Sequence, residues 1–284
     1  MKKVAIVKAF MRPQIFKSCI AHLVASGADT ILVAYDGPAN LWDEHRQIVF
    51  EANQICDAEI FRFPYDYGLS ACRNALIKLI SEPVFLMLDD DILVPNNIWA
   101  TIPIFKVDQY LAAATFGWFE EPLIYAIDAW DIEIKNNKIL TKTIRWPKFK
   151  QIINGLIFIY PFDFVPNQGF WSRKFFDEFQ WDEHYIIEAE HEDLALQAWP
   201  SKWKFAVCTN LFLLHLHDRS DIQYHNQRFS KEKMARSWLY FFHKWNLEAY
   251  HDNKCLFPYF SPNQLKILES VRESKNKYLS NGDS

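Results

Sequence analysis

The amino-acid sequence predicts an α/β fold: a mostly parallel, doubly wound sheet with helices on both faces, followed by a mixed half. Three observations carry this. Within residues 3–89, apolar runs of strand length alternate with amphipathic runs of helix length in the order β-α-β-α-β-α-β. The strand runs are continuously apolar, as strands covered on both faces are. Beyond residue 110 the alternation stops and strand-like segments follow one another.

Taken in order, KVAIVKAF (3–10) is the first strand. Residues 13–25 form a helix: Pro13 opens it, Ile15, Phe16, Ile20, Leu23 and Val24 recur at helical spacing, and Gly27 stops it. TILVAYDG (30–37) is the second strand, 41–55 a charged amphipathic helix, and AEIFRF (58–63) the third strand. PYDYG is a loop, 69–80 a helix, and PVFLML (83–88) the fourth strand. No GxGxxG follows the first strand and no P-loop occurs, which excludes the dinucleotide fingerprint and the P-loop phosphate cradle. Residues 96–105 read as a further helix. Residues 110–119, 122–134 and 138–146 read as strands, the last two joined by the polar turn KNNK. LIFIYPFDFV (156–165) adds strand-like sequence, 171–179 and 192–200 are short helices, and 204–218 holds one or two strands. Residues 231–247 are a long aromatic helix, 264–278 an amphipathic one, and the final NGDS frays. The expected organisation is one domain over 1–225, in halves 1–109 and 110–225, with a helical extension, 226–284, packed on it.

The 284 residues suffice for a sizeable core, and a composition 50% hydrophobic and 23% charged is that of a globular chain. A net charge of −4 argues against a general nucleic-acid binder, which needs a basic stripe. The five cysteines are scattered, odd in number and never spaced CxxC, which argues for reduced thiols and a cytoplasmic setting over disulfides or a zinc site. Lys8, Arg12 and Pro13 break the first apolar run, so it is too short and polar for a signal peptide or membrane anchor. Aromatic residues reach 17%, which serves a core of large rings and a set of sugar-stacking platforms equally well.

Five groups carry candidate chemistry. Asp89, Asp90 and Asp91 follow the fourth strand, at the sheet edge where open α/β folds bind ligands. Three adjacent carboxylates repel unless a cation or donors offset them, and a hard divalent ion shared with a diphosphate does so. Asp36 ends the second strand, where it is either an acceptor for a base or ribose or simply a turn former. Arg73 follows a Ser70 helix cap and suits either a diphosphate or a buried carboxylate. Glu188, Glu190, Glu192 and Asp193 crowd the start of a helix, whose dipole keeps carboxylates ionised and fit to act as a base. His215 and His217 are two apart, so a strand puts both on one face as possible manganese ligands.

In this order, Asp36, GLSACRN, LMLDDDI, EHED and a late histidine, the sequence resembles glycosyltransferases of the GT-A fold, and is similar to the large inverting family 2. KAFMRP, FPYDYGLSACRNALIKLISEPVFLMLDDDI and EHEDLAL look closest to β-1,4-N-acetylgalactosaminyltransferases of the GM2/GD2-synthase type. The resemblance covers roughly residues 3 to 217, apart from 110–165. It implies a nucleotide-binding first half and an acceptor-binding second half. Asp36 would hold the base, and Arg73 would lie near the phosphates. Asp89 to Asp91 would be the DxD motif, Asp91 on Mn2+ or Mg2+, Asp89 toward ribose or metal, and His215 or His217 completing the metal site. Asp193 would deprotonate the acceptor hydroxyl and Glu192 orient the acceptor, while Asn167, Gln168, Gly169, Phe170 and Trp171 would shape the donor-sugar and acceptor pocket. The implied partners are a nucleotide sugar, UDP-linked by preference, and a glycan or glycolipid acceptor. The basic and aromatic helix 231–247 suits packing on the domain or peripheral contact with a membrane's inner face. The competing classes are a metal-dependent phosphohydrolase, which lacks its DxDxT because Leu93 stands at the Thr place, and a silent carbohydrate-binding domain, which has no need of EHED or HLH.

Overall fold

The structure, a computed structural model, describes residues 1–119, 127–216 and 221–251. Its first half is the expected alternation: β1 (Val4–Ala9), α1 (Pro13–Ala25), β2 (Thr30–Tyr35), α2 (Trp42–Ala52), β3 (Asp57–Arg62), α3 (Leu69–Ile77) and β4 (Val84–Asp89). These four strands pair in parallel, β3-β2-β1-β4. Alternate side chains of one strand point to opposite faces, and both faces are covered. Ala5 and Val7 pack with Phe16 of α1 and Ile48 of α2, while Val4 and Ile6 pack with Cys72 and Leu76 of α3. Each fully buried Phe or Leu contributes about 1.5–3 kcal/mol.

After β4, Asp90 and Asp91 turn the chain into the two-residue β5 (Ile92–Leu93). The helix predicted over 96–105 is a 3-10 helix, Ile98–Lys106, with Pro103 inside it. Proline has no N–H to donate to an α-helical ladder. Then come β6 (Leu111–Phe119), β7 (Asp131–Lys135), β8 (Ile139–Thr143), β9 (Phe149–Ile153), β10 (Leu156–Phe162) and β11 (Gly169–Ser172). α4 (Glu190–Ala198), β12 (Lys204–His215), α5 (Ile222–Arg228), α6 (Lys231–Lys244) and β13 (Ala249–His251) complete the described chain. The main sheet runs β3-β2-β1-β4-β11-β6-β12-β10-β9, with β5 paired to β12, and a small sheet is ordered β13-β8-β7.

The helix predicted over 171–179 is a strand at its start and a 3-10 turn, Arg173–Asp177, after it. Phe170 and Trp171 enter the cores on opposite faces of the sheet, which strand geometry permits. β11 lies antiparallel between β4 and β6, with Gly169 opposite Met87 and Thr115. A Cβ on Gly169 would stand 2.6 Å from the Ala114 carbonyl oxygen, so only glycine lets β6 approach this closely.

α6 packs through Phe241 into a third cluster with Trp130, Ile132, Leu140 and Tyr185. Among the described residues no helix is long and apolar enough to cross a membrane. The helix predicted over 264–278 lies outside the described residues.

Candidate active site

A cleft of about 370 Å³ opens at the carboxyl ends of β1 and β4. Lys8, Arg12, Asp89–Asp91, Glu188–Glu192, His215 and Arg228 line it. The acids come from the end of β4. β5 pairs with the end of β12, with Ile92 opposite His215, and this brings the late histidine to them.

The three aspartates point to three different sets of partners. Asp89 accepts from Arg73 Nη2 at 3.0 Å, Asn167 Nδ2 at 3.2 Å and Gln168 Nε2 at 2.9 Å. Asp90 accepts from Arg12 Nη2 at 2.7 Å and from the Phe10 N–H at 3.2 Å. Asp91 Oδ2 lies 3.0 Å from Arg12 Nη2 and 3.3 Å from His215 Nε2. Burial opposes the charge on Asp91, but His215 and Arg12 outweigh it and hold the carboxyl well below its usual range. At Asp90 burial wins over Arg12 and the carboxyl is pushed up.

Three buried cations face the acids. Lys8 Nζ is 2.6 Å from Asp36 Oδ1, which is itself fully buried and accepts from the Gly68 N–H at 2.9 Å. Gly68 holds φ at +105°, a conformation that suits glycine. Burial and the charge of Arg228 lower the Lys8 ammonium despite Asp36. The Arg12 guanidinium stacks 3.7 Å over the Tyr224 ring. Arg228 comes from α5, which Asp221 caps by accepting from the Tyr224 N–H at 2.8 Å. Its Nη1 is buried without a hydrogen-bond partner among the described residues. An unsatisfied buried guanidinium nitrogen beside a cleft is a ready donor for an anion.

The acidic helix start is divided between cleft and core. Glu188 and Ala189 both have positive φ, 67° and 63°, and turn the chain into α4. Glu190 is 2% exposed; its Oε1 lies 3.3 Å from Arg73 Nη1 and 3.1 Å from His191 Nε2. Glu192 pairs with Lys142 at 3.3 Å and accepts from Tyr250 Oη at 3.0 Å. Asp193 does not face the cleft. It is 1% exposed and accepts from Tyr185 Oη at 3.2 Å, Gln197 Nε2 at 2.7 Å and Trp245 Nε1 at 2.7 Å, with Lys244 Nζ 2.8 Å away.

Of the residues singled out in the sequence, Asp89, Asp90, Asp91, Gln168, Glu188, Glu190, Glu192 and His215 therefore meet at the cleft. Arg73 and Asn167 stand behind Asp89, and Asp36 stands behind Lys8. Gly169 and Trp171 belong to the sheet and its core, where Trp171 packs against Phe175, Phe176 and Trp181. Asp193 belongs under α6, and His217 lies outside the described residues. Lys8, Arg12, Arg228, Tyr224 and His191 are cleft residues that sequence reasoning missed. The signals available were a lysine inside the otherwise apolar first strand and the KAFMRP and EHED stretches that hold Lys8, Arg12 and His191.

The residues that would hold a metal are Asp91 and His215, whose Oδ2 and Nε2 lie 3.3 Å apart. Among the described residues no group of three or more His, Cys, Asp or Glu side chains converges on one point. Mg2+ and Mn2+ sites commonly use one or two protein ligands and complete the shell with phosphate oxygens and water, so the pair fits such an ion.

No protein-family profile and no curated protein matches the chain. Solved structures do. The S. aureus protein TarS superposes with a TM-score of 0.55 at 10% identity, over 76% of this chain and 37% of that one. Its 1–349 fragment in complex with UDP-GlcNAc gives 0.56 at 10%, over 78% and 60%. GalNAc-T7 with UDP, GalNAc and Mn2+ gives 0.61 at 12%, over 77% and 44%. The chain thus spans less than two thirds of each of these structures. What the likenesses share with the strand order and the edge-on cleft is architecture, and the chain has the GT-A glycosyltransferase fold.

Proposed function

We propose that this chain transfers a sugar from a nucleotide-diphosphate donor, a UDP-sugar by preference, to a hydroxyl of a glycan or glycolipid, with inversion at the anomeric carbon. The observation that carries the reading is the meeting of strand-end acids, His215 and three buried cations in one cleft. A diphosphate needs that balance, because cations neutralise it while the acids hold a divalent ion. The complexes of TarS with UDP-GlcNAc and of GalNAc-T7 with UDP and Mn2+ support a nucleotide sugar as donor. Asp91 and His215 would hold Mn2+ or Mg2+, which supplies charge neutralisation to the departing diphosphate. Arg12 and Arg228 bind phosphate oxygens, Lys8 adds charge from the cleft wall, and Asp36 positions Lys8. Asp89 is held toward the cleft by Arg73, Asn167 and Gln168, in reach of a ribose. An N-acetylhexosamine as the sugar, a cytoplasmic location and peripheral membrane contact complete the reading.

The test is a donor screen with manganese across UDP-, GDP- and dTDP-sugars, reading nucleotide release and stabilisation by the free nucleotide. Manganese-dependent stabilisation by UDP with UDP release is the expected result. Phosphate release from aryl phosphates would assign a phosphohydrolase instead, and sugar binding with neither activity a lectin.

A further inference from the structure

The acid that takes the acceptor proton has to touch the acceptor, and Asp193 is sealed away. We infer that the general base is His191, held in place by Glu190, an assignment that rests on the glycosyl-transfer reading above.

The geometry is that of a base and its orienting carboxylate. His191 Nε2 is 3.1 Å from Glu190 Oε1. Glu190 is buried and anchored in turn by Arg73, whose Nη2 reaches Asp89 on the donor side. The chain His191–Glu190–Arg73–Asp89 thus links the start of α4 to the end of β4. His191 itself lines the cleft, its side chain 23% exposed and its ring edge-on to Trp181, which limits how it turns. With Nε2–H donating to Glu190, the tautomer leaves Nδ1 as the acceptor. The neighbouring acids are less suited. Glu192 is occupied by Lys142 and Tyr250, and Asp193 by four donors.

The step balances as follows. The acceptor O–H gives its proton to Nδ1, and its oxygen forms a bond to the anomeric carbon. The bond from that carbon to the diphosphate oxygen breaks, and the electron pair leaves with UDP. The proton passes from His191 to water after release. The charged groups facing His191 are Glu190, Glu192 and Glu188 from the start of α4 and its approach, and Arg73 from α3. Burial and Arg73 disfavour its charge, but the carboxylates outweigh them and raise it above its ordinary 6.5. Glu190 stays ionised, its carboxyl held at about 2.

The test uses the full chain, manganese, and UDP-Glc, UDP-Gal, UDP-GlcNAc and UDP-GalNAc, reading UDP release to water and UDP affinity by calorimetry. His191→Asn and His191→Gln should each lower kcat roughly 10²–10⁴-fold and leave UDP affinity within about threefold. In the wild type, kcat/KM should rise with pH through a group above the ordinary histidine value. In Glu190→Gln, the positioning variant, that limb should move down by roughly one unit. Turnover by either His191 variant within about threefold of the wild type overturns the assignment. So does a wild-type limb in the carboxylate range, or one that Glu190→Gln leaves in place, which points to Glu188. The wild-type limb decides the matter even where both substitutions unfold the chain. No release by the wild type from any UDP-, GDP- or dTDP-sugar of the donor screen overturns the glycosyl-transfer reading itself, and the assignment with it.

Discussion

Asp193→Asn separates a structural carboxylate from a catalytic one. Both oxygens of Asp193 are occupied: Tyr185 Oη and Trp245 Nε1 donate to Oδ1, and Gln197 Nε2 donates to Oδ2. Lys244 Nζ lies within reach of both, 2.8 Å from Oδ1 and 3.0 Å from Oδ2. An amide puts an NH2 donor where one oxygen stood, so two donors meet a third. Lys244 is not stranded, because it also reaches Asp182 Oδ2 at 2.7 Å and its side chain is 27% exposed. Its share of the loss is therefore smaller than that of a fully buried broken pair, which costs about 3–5 kcal/mol. Losing two hydrogen bonds to a charged acceptor at about 1.5 kcal/mol each gives about 3 kcal/mol. For a chain of this size that lowers Tm by about 6–12 °C. Urea unfolding at constant slope gives the free-energy change, and UDP release below the lowered Tm gives kcat. The expectation is a destabilised protein whose kcat stays within about threefold of the wild type. A variant as stable as the wild type whose kcat falls more than about a hundredfold would refute this and return the base to Asp193.

Three further outcomes follow from the geometry. Gly169→Ala puts a methyl group 2.6 Å from the Ala114 oxygen and 2.9 Å from Thr115 Cα, and should cost about 1–3 kcal/mol in urea unfolding; an unchanged midpoint would show that β11 can slide away from β6. Asp91→Ala and His215→Ala should each weaken the manganese-dependent part of UDP binding at least about tenfold, or 1.4 kcal/mol, leaving the part measured in chelator nearly intact; equal losses with and without manganese would contradict the pairing of these two as ion ligands. Glu190, with its carboxyl at about 2 against an ordinary 4.5, stabilises the folded chain by on the order of 3 kcal/mol at neutral pH. A depressed carboxyl contributes fully above its unfolded value, and the contribution fades as pH falls from about 4.5 through about 2. The urea midpoint should drop across that window and drop less in Glu190→Gln; parallel declines would remove Glu190 from the account.

The first half was legible because its determinants are local. Continuous apolar runs, helical spacing of Phe16 and Ile20, and the Pro13 start each act within a few residues. The second half depends on contacts made far along the chain. Phe170 and Trp171 followed by Phe175 and Phe176 has a helical spacing, yet Phe170 and Trp171 serve opposite cores from a four-residue strand. The start of α4 was legible as an acidic cluster, but not which acid faces the cleft. That is decided by the turn at Glu188 and Ala189 and by Lys244 and Trp245, some fifty residues later, closing over Asp193. Likewise Lys8, Arg12 and Arg228 are charges spread over 220 residues of sequence, and only the sheet and α5 bring them together.

The three aspartates show how such a site is made without self-repulsion. Successive residues leaving a strand point in different directions, so adjacent carboxylates need not share one partner. Asp89 is held by Arg73 and two amides, Asp90 by Arg12 and the Phe10 N–H, and Asp91 lies against His215. Two arginines therefore offset charge that the sequence alone assigns to a metal. The consequence is a division of labour. Asp90 is a buried structural acid with a raised carboxyl, Asp89 couples the strand end through Arg73 to the Glu190–His191 pair, and Asp91 keeps its charge beside an imidazole. Arg12 bridges Asp90 and Asp91 on one nitrogen, so an ion entering at Asp91 competes with a guanidinium that can still rest on Asp90. Removing Asp91 leaves Arg12 paired, which is why the loss is expected in ion-dependent binding and not in the fold.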